Sequence, residues 1–374
     1  MTRIIRMLCG RLMLGSAALA LSAVPALAQS EPDALVDSAA LEVAAASETM
    51  IWNGVAAAHG RIYVSGPRWT GSQGPSVAMI DADGGVRPFP DAAWNDWRPG
   101  ADPATAFVNV NAIHLDPQGD LWAVDTGAPD FGGNPLPGGA KLVRIDLDSG
   151  LVKKVYPLGP KIARRGSYID DIRFNGPNAY LTDAGNPGLI VFNLVTGGMR
   201  RVLDGHPSTV APADRDIILS GQVLKTGDGT PLRVHADPME VSPDGKYFYY
   251  ASLHGPWSRI ETRFLDDVSM TDADLAAHVE PWADLAPVGG TAMHADGSLY
   301  FADLATDSIG RRAPDGTITT IVRDPRLHWG DAPFIEDDRI LWIPVPQIDR
   351  SPVFSGADKP RERPIILYRL RLPE

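Results

Sequence analysis

A strand–turn–strand phrase recurs along this chain, and it constrains the fold more than any other feature. Its clearest copy is Met293-His-Ala-Asp-Gly-Ser-Leu-Tyr-Phe-Ala-Asp303. Asp296-Gly297 marks a tight hairpin turn, because glycine takes a positive φ without steric cost. Leu299, Tyr300 and Phe301 form an apolar, aromatic run of strand length. Further copies lie at His114–Asp125, Arg173–Asp183 and Val241–Ser252, with weaker ones at Ala58–Val64 and Ile335–Ile343. Copies at intervals of roughly 40 to 70 residues match the period of propeller blades.

Each copy predicts an inner strand A, a turn and a strand B. Third strands are predicted at Ser76–Asp81, Lys141–Asp146, Leu189–Leu194 and Arg259–Phe264. Fourth strands are predicted at Gly85–Pro88, Leu151–Tyr156, Met199–Leu203 and Thr317–Val322. The expected fold is therefore all-β: a six-bladed β-propeller with four-stranded blades around a central channel. The last copy is followed by one strand, Ile365–Leu372, and lacks a fourth. Ala40–Ser47, ahead of the first blade, is expected to supply it and close the ring, which removes open sheet edges. Met270–Val279 is the best helix candidate, with Thr271 or Asp272 as its N-cap.

The chain start reads differently. Arg3, Arg6 and Arg11 precede an apolar run from Leu12 to Val24, and Ala26-Leu27-Ala28 is an A-x-A cleavage signal. Residues 1–28 are expected to be a secretory signal peptide cleaved after Ala28, which places the protein outside the cell or in the periplasm. Residues 29–39 are expected to be a flexible lead-in, and 40–374 a single propeller domain. The one cysteine, Cys9, lies within the signal, so the mature chain has no disulfide or thiolate metal site. The net charge of −12 becomes more negative once three arginines leave with the signal. Such a surface disfavours nucleic acid and anionic membranes. No later stretch is apolar enough to span a bilayer, and nothing in the sequence calls for an obligate protein partner. There is no Gly-x-Ser-x-Gly elbow, P-loop, His-Glu-x-x-His or dinucleotide fingerprint.

Hairpin geometry points to one functional face. If all A–B turns share a face, the starts of the A strands and the ends of the B strands share the other. Two connections reaching that face are unusually long, Asp91–Phe107 and His206–Ala236. Polar residues gather there: Asn53, Asn109, Asn111, Asp170, Asp171, Asp237, Glu240, Thr291 and Asp331 at A-strand starts. Asp125, Asp183 and Asp303 recur at B-strand ends, which favours an architectural role of satisfying loop N–H groups. Asp170-Asp171 reads either as a solvated turn or as a carboxylate pair whose members raise one another's pKa. His235, beside Asp237 and Glu240, has the type and position of a proton shuttle, as has His328 in His328-Trp329-Gly330-Asp331. Trp94 and Trp97 either line the mouth and stack on a ligand ring, or pack their own loop down. His114 and His294 sit beside the turns and read as structural.

Val108-Asn-Val-Asn-Ala-Ile-His-Leu-Asp-Pro-Gln-Gly-Asp-Leu-Trp-Ala-Val-Asp-Thr-Gly127 resembles the strand–turn–strand of the major royal jelly protein/yellow family. Ala179–Asp183 with Leu189–Asn193, Met239–Leu253, Gly290–Ile309 and Asp324–Leu327 are similar to it in order. The resemblance implies a secreted six-bladed propeller that binds small molecules at the channel mouth. Some insect members convert dopachrome-type quinones, and others bind amines or have no known activity. A more distant likeness to gluconolactonase-type propellers implies a channel metal held by Glu, Asn and Asp. Trp52-Asn53-Gly54, Asp237-Pro238 and Gly289-Gly290 depart from that ligand set. Asn111, Asp171, Asp237 and Asp331 remain oxygen donors suited to a divalent cation such as Ca²⁺.

Taken together, these residues lead to an enzyme acting on a small cyclic, oxygenated molecule at the mouth, by isomerisation or lactone hydrolysis. Asp171, His235, Asp237 and Asp331 would hold or deprotonate the substrate, with Asp171 and Asp237 as metal ligands if a cation is present. Asn53, Trp94, Trp97, Asn109, Asn111, Asp170, Glu240, Thr291, His328 and Trp329 complete the expected ligand site. The alternative is a non-catalytic small-molecule binder or scaffold using the same mouth.

Overall fold

The computed structural model describes residues 34–81, 83–354 and 360–373. The expected signal segment lies outside the described residues. The described chain is a six-bladed β-propeller built from six four-stranded antiparallel sheets. Blade one is Gly54–Ala58, Arg61–Ser65, Val77–Ile80 and Val86–Pro88. Blade two is Val110–Leu115, Leu121–Asp125, Lys141–Ile145 and Val152–Pro157. Blade three is Ile169–Asn175, Asn178–Asp183, Gly188–Asn193 and Met199–Val202. Blade four is Ala236–Val241, Tyr247–Ser252, Trp257–Glu261 and Glu280–Ala283. Blade five is Val288–Met293, Leu299–Asp303, Ser308–Arg312 and Ile318–Arg323. Blade six takes Phe334–Glu336, Ile340–Val345 and Ile365–Arg371 from the chain end, and Glu42–Ser47 from its beginning.

The ring closes as the unpaired last strand requires. Glu42–Ser47 runs antiparallel to Ile365–Arg371, with Glu42 opposite Arg369 and Ser47 opposite Ile365. Residues 34–40 are ordered rather than a flexible lead-in. Leu35 and Val36 donate to the carbonyls of Thr320 and Ile321 on the outer strand of blade five, so the segment satisfies an edge that would otherwise stay open. The expected helix is shorter than its sequence pattern, Asp272–Ala276, with Thr271 and Asp274 forming a capping box.

Alternating apolar positions of each sheet pack against the next blade, and the buried clusters lie between blades. Between blades two and three, Trp122 stacks on Tyr156 with centroids 5.3 Å apart and gives its indole N–H to Asp116. Two of the recurrent B-strand aspartates are architectural. Asp125 accepts the amides of Val108, Asn109 and Gly127, and Asp183 accepts those of Tyr168, Gly185 and Asn186. Each carboxylate is neutralised by a cation from its own blade, Lys141 at 2.6 Å and Arg201 at 2.7 Å. Asp303 caps its turn through the Ala305 N–H, and Arg323 of its own blade partly offsets the rise in its pKa that burial causes.

The Asp125–Lys141 pair is essentially sealed from solvent, at 0% and 1% side-chain exposure. Removing one partner of such a pair leaves the other charge buried and uncompensated. Lys141→Met is therefore expected to lower unfolding stability by about 3–5 kcal/mol, read from urea denaturation midpoints. A change below about 1 kcal/mol would mean that the pair contributes no more than a surface ion pair.

Candidate active site

Four inner strands carry a register slip near the same end of the channel. The slips fall between Val110 and Ala112, Ile169 and Ile172, Ala236 and Met239, and Val288 and Thr291. The residues displaced are Asn111, Asp170-Asp171, Asp237-Pro238 and Gly289-Gly290. An extra residue in one strand breaks the pleat alternation and re-aims side chains. Here it turns polar groups of blades two, three and four towards the channel. Asn53 and Asp331 precede the inner strands of blades one and six and complete the ring. Blade five contributes no long side chain, because any Cβ on Gly289 or Gly290 would collide with the backbone at Gly330 or Ala332.

Above this ring lies a cavity of about 330 Å³. Its upper wall is aromatic: Trp69, Phe131, Tyr168, Trp329 and Phe354, from five different connections. Phe131 packs against Trp69 at 4.6 Å and against Phe354 at 5.3 Å between centroids. Its floor is acidic, with Asp170, Asp171, Asp237 and Asp331.

A one-way chain of donors crosses the floor. Trp69 Nε1, which can only donate, gives its proton to Tyr168 Oη at 2.8 Å. Tyr168 Oη donates to Asn111 Oδ1 at 2.7 Å, and Asn53 Nδ2 donates to the same oxygen at 3.3 Å. The Asn111 amide is thereby oriented, and its Nδ2 donates to Asp170 Oδ1 at 2.8 Å.

The three floor acids outside ion pairs differ in their donors. Asp170 receives Asn111 Nδ2. Asp331 receives the Ala332 amide at 2.8 Å and the Trp329 indole. Asp237 receives none among the described residues, because the next residue is Pro238, which has no N–H. Burial raises the pKa of all three well above the carboxylate range. Repulsion from Asp237 and Asp171 adds to the shift at Asp170, and repulsion from Asp331 and Asp171 at Asp237. The two donors to Asp331 oppose its shift.

The expected roles of several residues change in this setting. Asp171 is not a free acid: it accepts from its neighbour's amide and pairs with Arg173, which also grips Glu240 through two 3.0 Å bonds. Glu240 accepts Thr291 Oγ1 at 2.9 Å and belongs to this buried ion group, while Thr291 also lines the cavity. Arg173, passed over in the sequence, lines the cavity and closes the channel side of the floor. A lone arginine in an inner strand, where apolar residues alternate, was the available signal. His235 lines the cavity, but its Nδ1 accepts the Ala211 amide at 3.1 Å. The neutral ring must then carry its proton on Nε2, and burial lowers its pKa. It is thus a hydrogen-bond donor and not a base.

Other expected ligand residues lie elsewhere. Trp94 packs on Phe107 at 5.1 Å, and Trp97 is buried against Ala106 and Val108. Neither lines the cavity, because the Asp91–Phe107 connection folds onto its own apolar residues. Asn109 is buried, accepting the Arg68 amide and donating to Thr126. His328 lies behind the wall between Asp307 and Asp349, while its neighbour Trp329 does face the cavity. The proposed cation ligands Asn111, Asp171, Asp237 and Asp331 line one cavity but do not form a ligand cluster. Asp171 is turned to Arg173, and among the described residues no three His, Cys, Asp or Glu side chains group as metal ligands. Tyr168, Trp69, Phe131 and Phe354 were not singled out in the sequence. Only Tyr168, directly before Ile169-Asp170, stood close to a recognised motif.

Fold and site define a six-bladed propeller whose channel ends in an acidic floor under an aromatic rim. The profile of the Major royal jelly protein family matches residues 108–325, more than half of the chain. The chain belongs to that family. None of the curated proteins compared matches it. Among solved structures, a gluconolactonase from Xanthomonas campestris is similar, with 14% identity and a TM-score of 0.52, covering 92% of this chain and 96% of that one. A putative gluconolactonase shares 14% identity with a TM-score of 0.51, over 88% of this chain and 97% of that one. A Bacteroides thetaiotaomicron protein of unknown function shares 12% identity with a TM-score of 0.54, over 91% and 75%. At these identities the likeness concerns the fold alone. Among the described residues no helix is long and apolar enough to cross a membrane.

A carboxyl whose pKa is raised by folding loses stability relative to the unfolded chain as pH climbs above about 3.9, the unfolded aspartate value. Asp237→Asn removes that cost. The variant is expected to be more stable than the parent at pH 7, with the advantage fading towards pH 4. Urea unfolding at both pH values reads this, and a less stable variant at pH 7 would contradict the burial of an uncompensated acid.

Proposed function

We propose that the chain is an exported enzyme performing proton-transfer chemistry on a small cyclic, oxygenated molecule at the channel mouth. The observation that carries this reading is the unequal surroundings of Asp237 and Asp331. Groups whose environments push their proton affinities apart divide into acid and base. Asp237, with no donor and a proline behind it, keeps its proton and acts as the general acid. Asp331, with two donors to its carboxylate, is the more readily ionised and acts as the base.

In an isomerisation, Asp331 takes a proton from the carbon beside a carbonyl while Asp237 protonates the carbonyl oxygen. Where a C=C flanks the deprotonated carbon, the resulting dienol returns its O–H proton to Asp237 and takes one from Asp331 at the far end of the conjugated system, so that the double bond moves and the carbonyl is restored. In lactone hydrolysis, Asp331 deprotonates the attacking water and Asp237 protonates the ring oxygen as its bond to the acyl carbon breaks. His235 Nε2–H supplies a donor to a developing oxyanion. The aromatic wall takes the apolar face of the ring.

The same cavity supports a second reading, a non-catalytic site for an organic cation. Among the described residues three floor acids form no ion pair, and aromatic rings stand above them.

Incubation in D₂O with cyclic enolisable ketones, and pH-stat assays with five- and six-membered lactones, test the enzyme reading. Wild-type protein is expected to exchange or hydrolyse at least one class, with Asp237→Asn and Asp331→Asn each slower by about 10²–10⁴-fold. No turnover of either class, with an aromatic amine raising the melting temperature, would replace the enzyme by the binder.

Export rests on the basic, apolar and A-x-A pattern of residues 1–28, leaving the propeller, residues 40–374, as the mature domain. The secreted protein is expected to begin at Gln29, as read by intact mass. A mature form retaining Met1 would contradict it.

A further inference from the structure

Behind the cavity wall, His328 is held between two carboxylates from different blades. Its Nδ1 lies 3.0 Å from Asp307 Oδ1, in the turn of blade five, and its Nε2 lies 3.0 Å from Asp349 Oδ2, in blade six. Ionised carboxylates only accept hydrogen bonds, so both ring nitrogens must donate and the ring is an imidazolium. Among the described residues the other oxygen of Asp349 is buried without a hydrogen-bond partner, so among them His328 is the group that directly compensates its charge. Behind Asp349 stand Arg350, which pairs with Glu362, and Arg361, whose donors go to backbone carbonyls and Ser351.

The backbone around this bridge is strained. Asp307, Trp329 and Gln347 have φ of 48°, 53° and 52°, the left-handed region that costs energy for residues other than glycine. Such residues persist only where their surroundings over-determine them. Trp329 follows His328 and Ile348 precedes Asp349, and both side chains line the cavity.

We propose that His328 is a positioning residue: its double bridge ties blade five to blade six, holds Trp329 in its left-handed conformation and thereby sets the shape of the cavity wall. This holds whether the cavity is catalytic or only binds. Asp307 and then Asp349 raise the His328 pKa to about 9, against burial, which lowers it. A cation favoured in the folded state contributes stability in full below its ordinary pKa of about 6.5, and loses it as pH rises through about 9. The wall is thus fixed at neutral pH and released in alkali.

The test is ¹⁹F NMR of the full chain labelled with 5-fluorotryptophan, with the Trp329 resonance assigned by Trp329→Phe. In the wild type that resonance is expected to shift with a midpoint near 9, the other tryptophans staying put. In His328→Gln it should already occupy its alkaline position at pH 7 and show no transition. Should His328→Gln fail to fold, Asp349→Asn removes one negative charge beside the ring and is expected to move the midpoint down towards the ordinary histidine value. A Trp329 resonance that is unmoved at pH 7 in His328→Gln, or, in Asp349→Asn, a midpoint identical to wild type, would overturn the proposal.

Discussion

The carboxylate at the end of a B strand is the contact on which this mouth depends. Asp125 and Asp183 each gather three backbone amides, from the segment that enters their blade and from the turn that follows the B strand. The entering segments are those that carry Asn109 to Asn111 and Tyr168 to Asp171. Without a buried anion to accept those amides, the backbone polar groups at the channel end would face each other unsatisfied. Lys141 and Arg201 make the anions tolerable by supplying the opposite charge from within the same blade. The face that carries the cavity is therefore hung on a pair of structural aspartates that do not themselves line it.

From that anchor the polarity of the cavity follows step by step. An indole that can only donate fixes a phenol, the phenol fixes an amide, and the amide fixes one oxygen of Asp170. On the other side, Arg173 consumes the charge of Asp171 and Glu240. Outside that ion group stand Asp237, Asp331, the outer oxygen of Asp170 and the Nε2–H of His235. Of the four floor acids, three stay outside an ion pair among the described residues, and of these Asp237 alone accepts no hydrogen bond.

Much of the fold was legible in the chain, because a repeat states its unit several times. The Asp-Gly turn and aromatic run that begin at Met293 reappear with enough fidelity to count blades, and the unpaired strand at Ile365 called for a partner from the other terminus. The site was legible only in part. Period-two alternation says which side chains point inward along a regular strand, but the four register slips are a property of pairing and leave no mark on one strand alone. Hence Asp170 and Asp171 could be named together but not told apart. The rim aromatics come from connections distant in sequence, such as those around Trp69 and Phe354. The direction of a loop side chain is set by packing, which misplaced Trp94 and Trp97.

Pro238 deserves a last thought as a missing atom. Every other floor acid has at least one N–H aimed at it, and the neighbouring peptide supplies that donor to Asp171 and Asp331. At Asp237 the pyrrolidine ring occupies the place where this donor would stand. Burial, and then repulsion from Asp331 and Asp171, raise the proton affinity of Asp237, and no main-chain donor one residue away opposes that rise. A lineage could retune this mouth without altering any group that faces the ligand, simply by gaining or losing an imino acid at one position.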